Sequence, residues 1–296
     1  MIITTNVKVN IGLNVIRKRD DGFHDLDTMF YPYFGIGDTL EVILGDDYSR
    51  TSAELQARYC AGGVSPQIKQ AISDDGRLMI TIARKEGLDW EPLSDLCAKA
   101  YFVLAKDFEL PAVKIFLEKT APVGAGLGGG SSDAAFTIRL LNQLCGLNLT
   151  DSEMASYASE LGSDCAFFIY NRPMIGQGRG DILKDFTLPI SIDAGGNTAV
   201  PDAGYEMKVV VPEGISVSTV EAYKGIVPRV PQFPLCEILS RPIHEWKELL
   251  YNDFETTVFA AHPELERVRT SLYDSGAVYA SMSGSGSAFF AIYSRQ

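Results

Sequence analysis

The sequence predicts a soluble mixed α/β protein of one large or two medium domains, and three observations predict it. At 296 residues the chain is long enough to bury a large core. Short apolar runs of strand type, at 3–15, 39–44, 78–83, 113–117 and 207–211, are interleaved with helical periodicity at 93–105, 134–145 and 243–259. One strand-to-helix step passes through a glycine-rich turn, and the rest of the chain is organised around it.

That turn is residues 122–135, PVGAGLGGGSSDAA. Val113, Ile115 and Leu117 alternate before it as in a strand. Ala134, Ile138, Leu141 and Cys145 recur at helical spacing after it, and Gly146 stands where a helix stops. Gly124, Gly126, Gly128, Gly129 and Gly130 lack a Cβ, so backbone N–H groups can turn inward and approach a ligand closely. The helix N-terminus adds unsatisfied donors and a partial positive charge. Such a combination seats phosphate, whereas a flexible Gly/Ser linker would not be framed by apolar runs. A Walker A loop has Lys after its last glycine, and here that residue is Ser131. Gly124, Gly126 and Gly129 fit G-x-G-x-x-G, but a dinucleotide fold then requires a second strand ending in an acid about twenty positions on. Instead Thr150 and Glu153 form a capping box opening another helix, with Met154, Tyr157, Ala158 and Leu161 on one face and Gly162 at its end.

With 38 acidic against 26 basic side chains, the net charge of −12 argues against a nucleic-acid surface. It also repels anions, so a phosphorylated ligand must be held by local donors. Five cysteines, Cys60, Cys97, Cys145, Cys165 and Cys236, contain no C-x-x-C pair, and with three histidines no zinc pattern is visible. No membrane-length apolar stretch or basic leader is present, and a reducing cytoplasm is expected.

Along the first strand, Val7, Val9, Ile11 and Leu13 share one face while Lys8, Asn10, Gly12 and Asn14 share the other, which periodicity alone reads as solvated. Residues 17–24 mark a turn, and His24 stands in it beside Phe23, a combination suited to a flat base. Residues 46–52 read as a turn and 53–89 as loops and short strands. Asp164 lies at the mouth of the apolar run Cys165, Ala166, Phe167, Phe168, Ile169, where a partly buried carboxylate needs a cation; Lys8 is the candidate. Gly176, Gly178 and Gly180 read as a second glycine-rich turn, 192–205 as a surface excursion, and Ser218-Thr219 as the start of a short helix carrying Tyr223. Residues 280–288 form a third glycine and serine loop before the 289–293 strand.

These segments together resemble the GHMP kinase superfamily, through Lys8-Val9-Asn10, the 122–135 loop and SMSGSGSAFF at 281–290. DGFHDLDT at 21–28, LGSDCAFF at 161–168 and VSTVEAY at 217–223 are similar to the branch that phosphorylates a cytidyl-bearing alcohol. The resemblance covers most of the chain, apart from roughly 48–89 and 190–205. It implies a two-domain α/β fold of α+β type with the active site in the interdomain cleft, an ATP-binding domain at 1–172 and a second domain at 173–296 completing the substrate pocket. The implied reaction moves the γ-phosphoryl of ATP to the 2-hydroxyl of 4-diphosphocytidyl-2-C-methyl-D-erythritol, in the non-mevalonate route to isoprenoid precursors. The protein is expected in the cytoplasm as a monomer or homodimer, without nucleic-acid or membrane partners.

By the same resemblance Asp164 is the base taking the hydroxyl proton, and Lys8 orients it and offsets developing charge. Pro122, Gly124, Gly126, Leu127, Gly128, Gly129, Gly130, Ser131 and Ser132 wrap the ATP phosphates, with Ser132 toward Mg²⁺ and Lys119 in reach of the nucleotide. Phe23 and Tyr223 sandwich the cytosine, His24 reads its edge, and Asn10 holds the methylerythritol end. The chain departs from the family at Val7, where Ala is usual, at Phe23, usually Tyr, and at Asp95-Leu96, usually Asn-Leu by the adenine. Asp133 either meets Mg²⁺ or favours the helix N-terminus. The competing readings are a GHMP kinase of the homoserine or mevalonate type, which needs no base sandwich, and a catalytically silent nucleotide sensor.

Overall fold

A computed structural model describes residues 1–45, 50–59, 67–196, 200 and 202–295. Cys60, Gly62, Gly63 and Pro66 lie outside the described residues, as does most of the turn expected at 46–52. The chain divides into two compact units. The first comprises Met1–Asn6, Ile36–Ala121 and Gly129–Tyr170, the second Val7–Gly35, Pro122–Gly128 and Asn171–Gln296. The division expected between 172 and 173 falls close to one crossing of the chain. Strand pairing nevertheless draws 7–35 into the second unit, because Val7–Lys18 pairs with His24–Tyr33 and that strand with Met174–Gly178.

In the first unit a five-stranded sheet runs in the order Ile2–Thr4, Thr39–Leu44, Val113–Lys119, Leu78–Arg84, Ile68–Ile72. Its pairs are antiparallel except that of Leu78–Arg84 with Val113–Lys119. Leu40, Val42, Ile80, Ile82, Ile115 and Leu117 are buried, as their alternation requires. Helix Gly129–Leu144 packs against Leu96–Ala105, Asp151–Leu161 and Cys165–Tyr170. The capping box forms as expected: Glu153 N–H donates to Thr150 Oγ1, and Thr150 N–H donates to Glu153 Oε2 at 2.8 Å. Gly146, at φ +63°, adopts the left-handed turn after the long helix. A helix at Arg50–Tyr59 replaces part of the expected loops. It is largely polar, and Leu55, packed on Ile43, Ala83 and Phe116, is too sparse an apolar signal for periodicity to register.

The second unit has two four-stranded sheets, Val7–Lys18, His24–Tyr33, Met174–Gly178, Ile182–Asp185 and Ile192–Asp193, Tyr205–Val210, Phe289–Ser294, Tyr279–Met282. Three expectations are corrected here. Lys8 and Asn10 are 3% and 2% exposed, so the polar face of their strand is buried and not solvated. Of the expected glycine turn, Gly178 and Gly180, at φ +64° and +95°, do form the hairpin turn to Ile182–Asp185, but Gly176 lies within the strand, where a Cβ would stand 2.4 Å from the Phe30 ring; that glycine makes room for an aromatic. The helix expected over 243–259 is broken into Trp246–Leu249 and Phe254–Ala261, preceded by a 3₁₀ turn at Ile243–Glu245. Ile192–Asp193 is a buried edge strand within the expected surface excursion. Pro263–Asp274 is a further helix, which places Leu265 and Leu272 in a core with Leu13, Val15, Phe254, Met282 and Phe289.

Candidate active site

In the second unit the fold brings together three of the sequence segments. The Lys8 ammonium donates to Asn10 Oδ1 at 2.5 Å and to the Gly126 carbonyl at 3.1 Å, while the Lys8 backbone N–H donates to the Leu127 carbonyl at 3.0 Å. Ser283 Oγ accepts from Asn10 N–H at 3.3 Å and donates to the Gly126 carbonyl at 3.1 Å. A Cβ on Gly126 would lie 2.2 Å from the Ser283 carbonyl oxygen, and one on Gly284 3.1 Å from the Gly126 carbonyl oxygen. The two glycine loops therefore meet backbone to backbone, which only residues without a Cβ permit. Asn10 Nδ2 donates to Thr28 Oγ1, whose hydroxyl in turn donates to the Gly12 carbonyl. Buried polar groups of this strand are thus paired, with the Lys8 charge facing carbonyl dipoles.

The aromatic segment also assembles in this unit. The His24 ring stacks on Tyr223 at 4.7 Å and 22°. Phe23 is 55% exposed, with the Arg179 guanidinium 5.1 Å from its ring centroid. Burial, helped by Lys18, lowers the His24 pKa below the ordinary 6.5, which favours the neutral ring with one donor and one acceptor nitrogen.

The first unit carries the rest. Gly129 and Gly130 open the Gly129–Leu144 helix, and Gly130 abuts Leu96. Ser131 hydrogen-bonds the Cys165 thiol, which burial pushes up to about 12. Ser132 is fully buried and its hydroxyl has no hydrogen-bond partner among the described residues. Asp164 is half-buried in the turn before Cys165–Tyr170, a helix whose first five side chains are buried and anchor it.

Lys119 sits among buried acids beside Gly129 of the glycine loop. Its ammonium is buried, 2.5 Å from Asp38 Oδ2 and 2.6 Å from Asp133 Oδ2. Asp38 Oδ1 also accepts the N–H groups of Thr120 and Ala121, and Asp133 Oδ1 accepts from Thr5 Oγ1. Asp133 is accordingly a buried hydrogen-bond partner of Lys119. Asp95 is a helix cap, accepting Cys97 N–H at 2.9 Å and Trp90 Nε1–H at 3.0 Å.

Thr28, Asp38, Ser283 and Asn252 take part in these networks without having been singled out from the sequence. Thr28 and Ser283 lay inside recognised segments; Asp38 and Asn252 carry no local signal, because their partners are 83 and 32 residues away at the farthest.

A family model described as GHMP kinases N terminal domain matches residues 95–172, and one described as GHMP kinases C terminal matches 237–296. The chain belongs to the GHMP kinases, and is a small-molecule kinase. It is 39% identical, over 99% of its length and 92% of the relative's, to a Bacteroides fragilis protein named 4-diphosphocytidyl-2-C-methyl-D-erythritol kinase. The crystal structure of a 4-(cytidine 5'-diphospho)-2C-methyl-D-erythritol kinase matches it with TM-score 0.70 at 28% identity, over 98% of this chain and 89% of that one. A homoserine kinase of Cytophaga hutchinsonii, with TM-score 0.61 at 18% identity, covering 100% of this chain and 86% of that one, shares the fold.

Proposed function

We propose that this chain transfers the γ-phosphoryl of ATP to the 2-hydroxyl of 4-diphosphocytidyl-2-C-methyl-D-erythritol. The observation that carries the reading is the His24–Tyr223 stack beside the exposed Phe23, a platform for a flat base that an aliphatic alcohol such as homoserine or mevalonate would not use. The 39% identical relative supports the same substrate. Phosphoryl transfer is chiefly positioning and electrostatics. Asp164 takes the hydroxyl proton as base, and Lys8 offsets charge on the transferring group. The loop from Pro122 through Gly124, Gly126, Leu127, Gly128, Gly129 and Gly130 to Ser131 and Ser132 holds the phosphates. A nucleotide-bound Mg²⁺ would need few protein ligands. The unpartnered Ser132 hydroxyl suits such an ion, which supplies charge neutralisation on the phosphates when bound. Residues 1–172 serve ATP, and 173–296, with Phe23 and His24, serve the cytidyl end. The working compartment is the cytoplasm.

The test is ADP release with Mg-ATP and the cytidyl alcohol, beside homoserine and mevalonate. Turnover with the cytidyl alcohol alone is the expected result; turnover with an aliphatic alcohol alone overturns the base platform, and none with any of the three revives the sensor. His24 adds a pH signature. Its lowered pKa means the neutral ring is the bound form, so the KM for the cytidyl alcohol rises as pH falls below 6.5 through the lowered value, while the KM for ATP does not follow. In His24→Gln that rise is absent, as KM-versus-pH profiles of both proteins will show.

A further inference from the structure

Residues 252–255, Asn-Asp-Phe-Glu, span the end of the break in the helix that apolar periodicity predicts over 243–259 and the start of the helix that follows it, and their side chains reach other segments. The buried Asn252 donates through Nδ2 to the carbonyls of Met282 and Gly284, both at 2.8 Å. Buried Glu255 accepts Met282 N–H at 2.8 Å and Ser281 Oγ–H at 2.9 Å on one oxygen, and Arg269 at 2.5 Å on the other. These two side chains hold both ends of the turn that presents Ser283, and Ser283 holds the Gly126 carbonyl. Asp253 ties in the strand that carries Lys8 and Asn10: its N–H donates to the Leu13 carbonyl and its Oδ2 accepts Val15 N–H at 2.8 Å. Phe254 meets Tyr223 edge to face, at 4.7 Å and 81°, and His24 stacks on Tyr223. Four consecutive residues thus reach the nucleotide loop, the strand and the base platform.

We infer that residues 252–255 are positioning residues that set the two substrate-binding elements separately, Asn252 and Glu255 acting through Ser283 on the nucleotide loop and Phe254 acting through Tyr223 on the base. The inference rests on the functional reading above. It predicts a crossed kinetic pattern in the full-length protein. Asn252→Ala raises the KM for ATP roughly tenfold, the worth of a lost buried hydrogen bond, and leaves that for the cytidyl alcohol unchanged. Phe254→Leu raises the KM for the cytidyl alcohol about three- to tenfold, the worth of an edge-to-face pair, and leaves that for ATP unchanged. A merely structural role lowers the folded fraction, which reduces maximal rate and moves neither KM. Glu255→Gln reports on the ATP arm should Asn252→Ala fail to fold. KM values that stay at wild type, or that move together in every variant, overturn the inference while an active wild type leaves the functional reading standing. A wild type without turnover on the cytidyl alcohol overturns both.

Discussion

Asp164→Asn lowers kcat by roughly 10²- to 10⁴-fold, the usual worth of a general base, and leaves ATP binding intact. Asn has nearly the shape of Asp, with one acceptor oxygen replaced by an amide donor, so the change removes charge and basicity without opening a cavity. The site is held by the buried helix Cys165–Tyr170 immediately after it, which the substitution does not touch. Lys8→Ala is expected to be as damaging to kcat, with an added weakening of ATP, because its ammonium also holds the Gly126 carbonyl of the nucleotide loop. ADP release read beside an ATP titration separates the two. Wild-type turnover in Asp164→Asn removes that residue from the mechanism, and a silent sensor would have had no turnover to lose.

Lys119→Met destabilises the protein by about 3–5 kcal/mol, the cost of breaking a buried ion pair. Asp38 and Asp133 are almost fully buried, and the substitution leaves two carboxylates facing each other without a cation. Burial works against the Lys119 charge, yet the two neighbouring aspartates more than compensate and raise its pKa. For Asp133 burial dominates: despite Lys119, and with Asp38 adding to it, its pKa is pushed up to about 8 from 3.8. A folded-state pKa above the unfolded value means a stabilising contribution complete below 3.8 and lost as pH rises through about 8. Asp133→Asn therefore removes that part of the pH dependence and partly rescues Lys119→Met. Denaturant unfolding at several pH values measures both effects. Were Lys119 a nucleotide contact instead, Lys119→Met would keep full stability and raise only the KM for ATP.

Much of this was legible in the sequence because it depends on neighbours in the chain. The Thr150–Glu153 capping box, the strand–glycine–helix step at 113–145 and the Ser218 cap are fixed by interactions within a few residues, and the structure has them. Where polar residues dominate, as in Arg50–Tyr59, local pattern says too little, since that helix is anchored by only Leu55 and Tyr59 on the Ile43, Ala83 and Phe116 cluster. Elsewhere local pattern is overruled. Helical periodicity over 243–259 yields to Asn252 and Asp253, whose hydrogen bonds to Met282, Gly284 and Val15 replace those of a helix.

By itself, the sequence determined the class of protein: a glycine loop of the kind that suits phosphate, a lysine strand, an acid before an apolar run and an aromatic turn, in an order shared with the GHMP kinases. Tertiary structure alone decided which groups each buried polar residue faces. Lys119 and Lys8 look alike in sequence, each a lysine in a strand. One is buried between Asp38 and Asp133, the other between a side-chain amide and the carbonyl of a glycine loop. A charge is committed by what surrounds it once water is excluded, and apart from Asn10, two residues from Lys8, those surroundings come from residues 14 to 118 positions away.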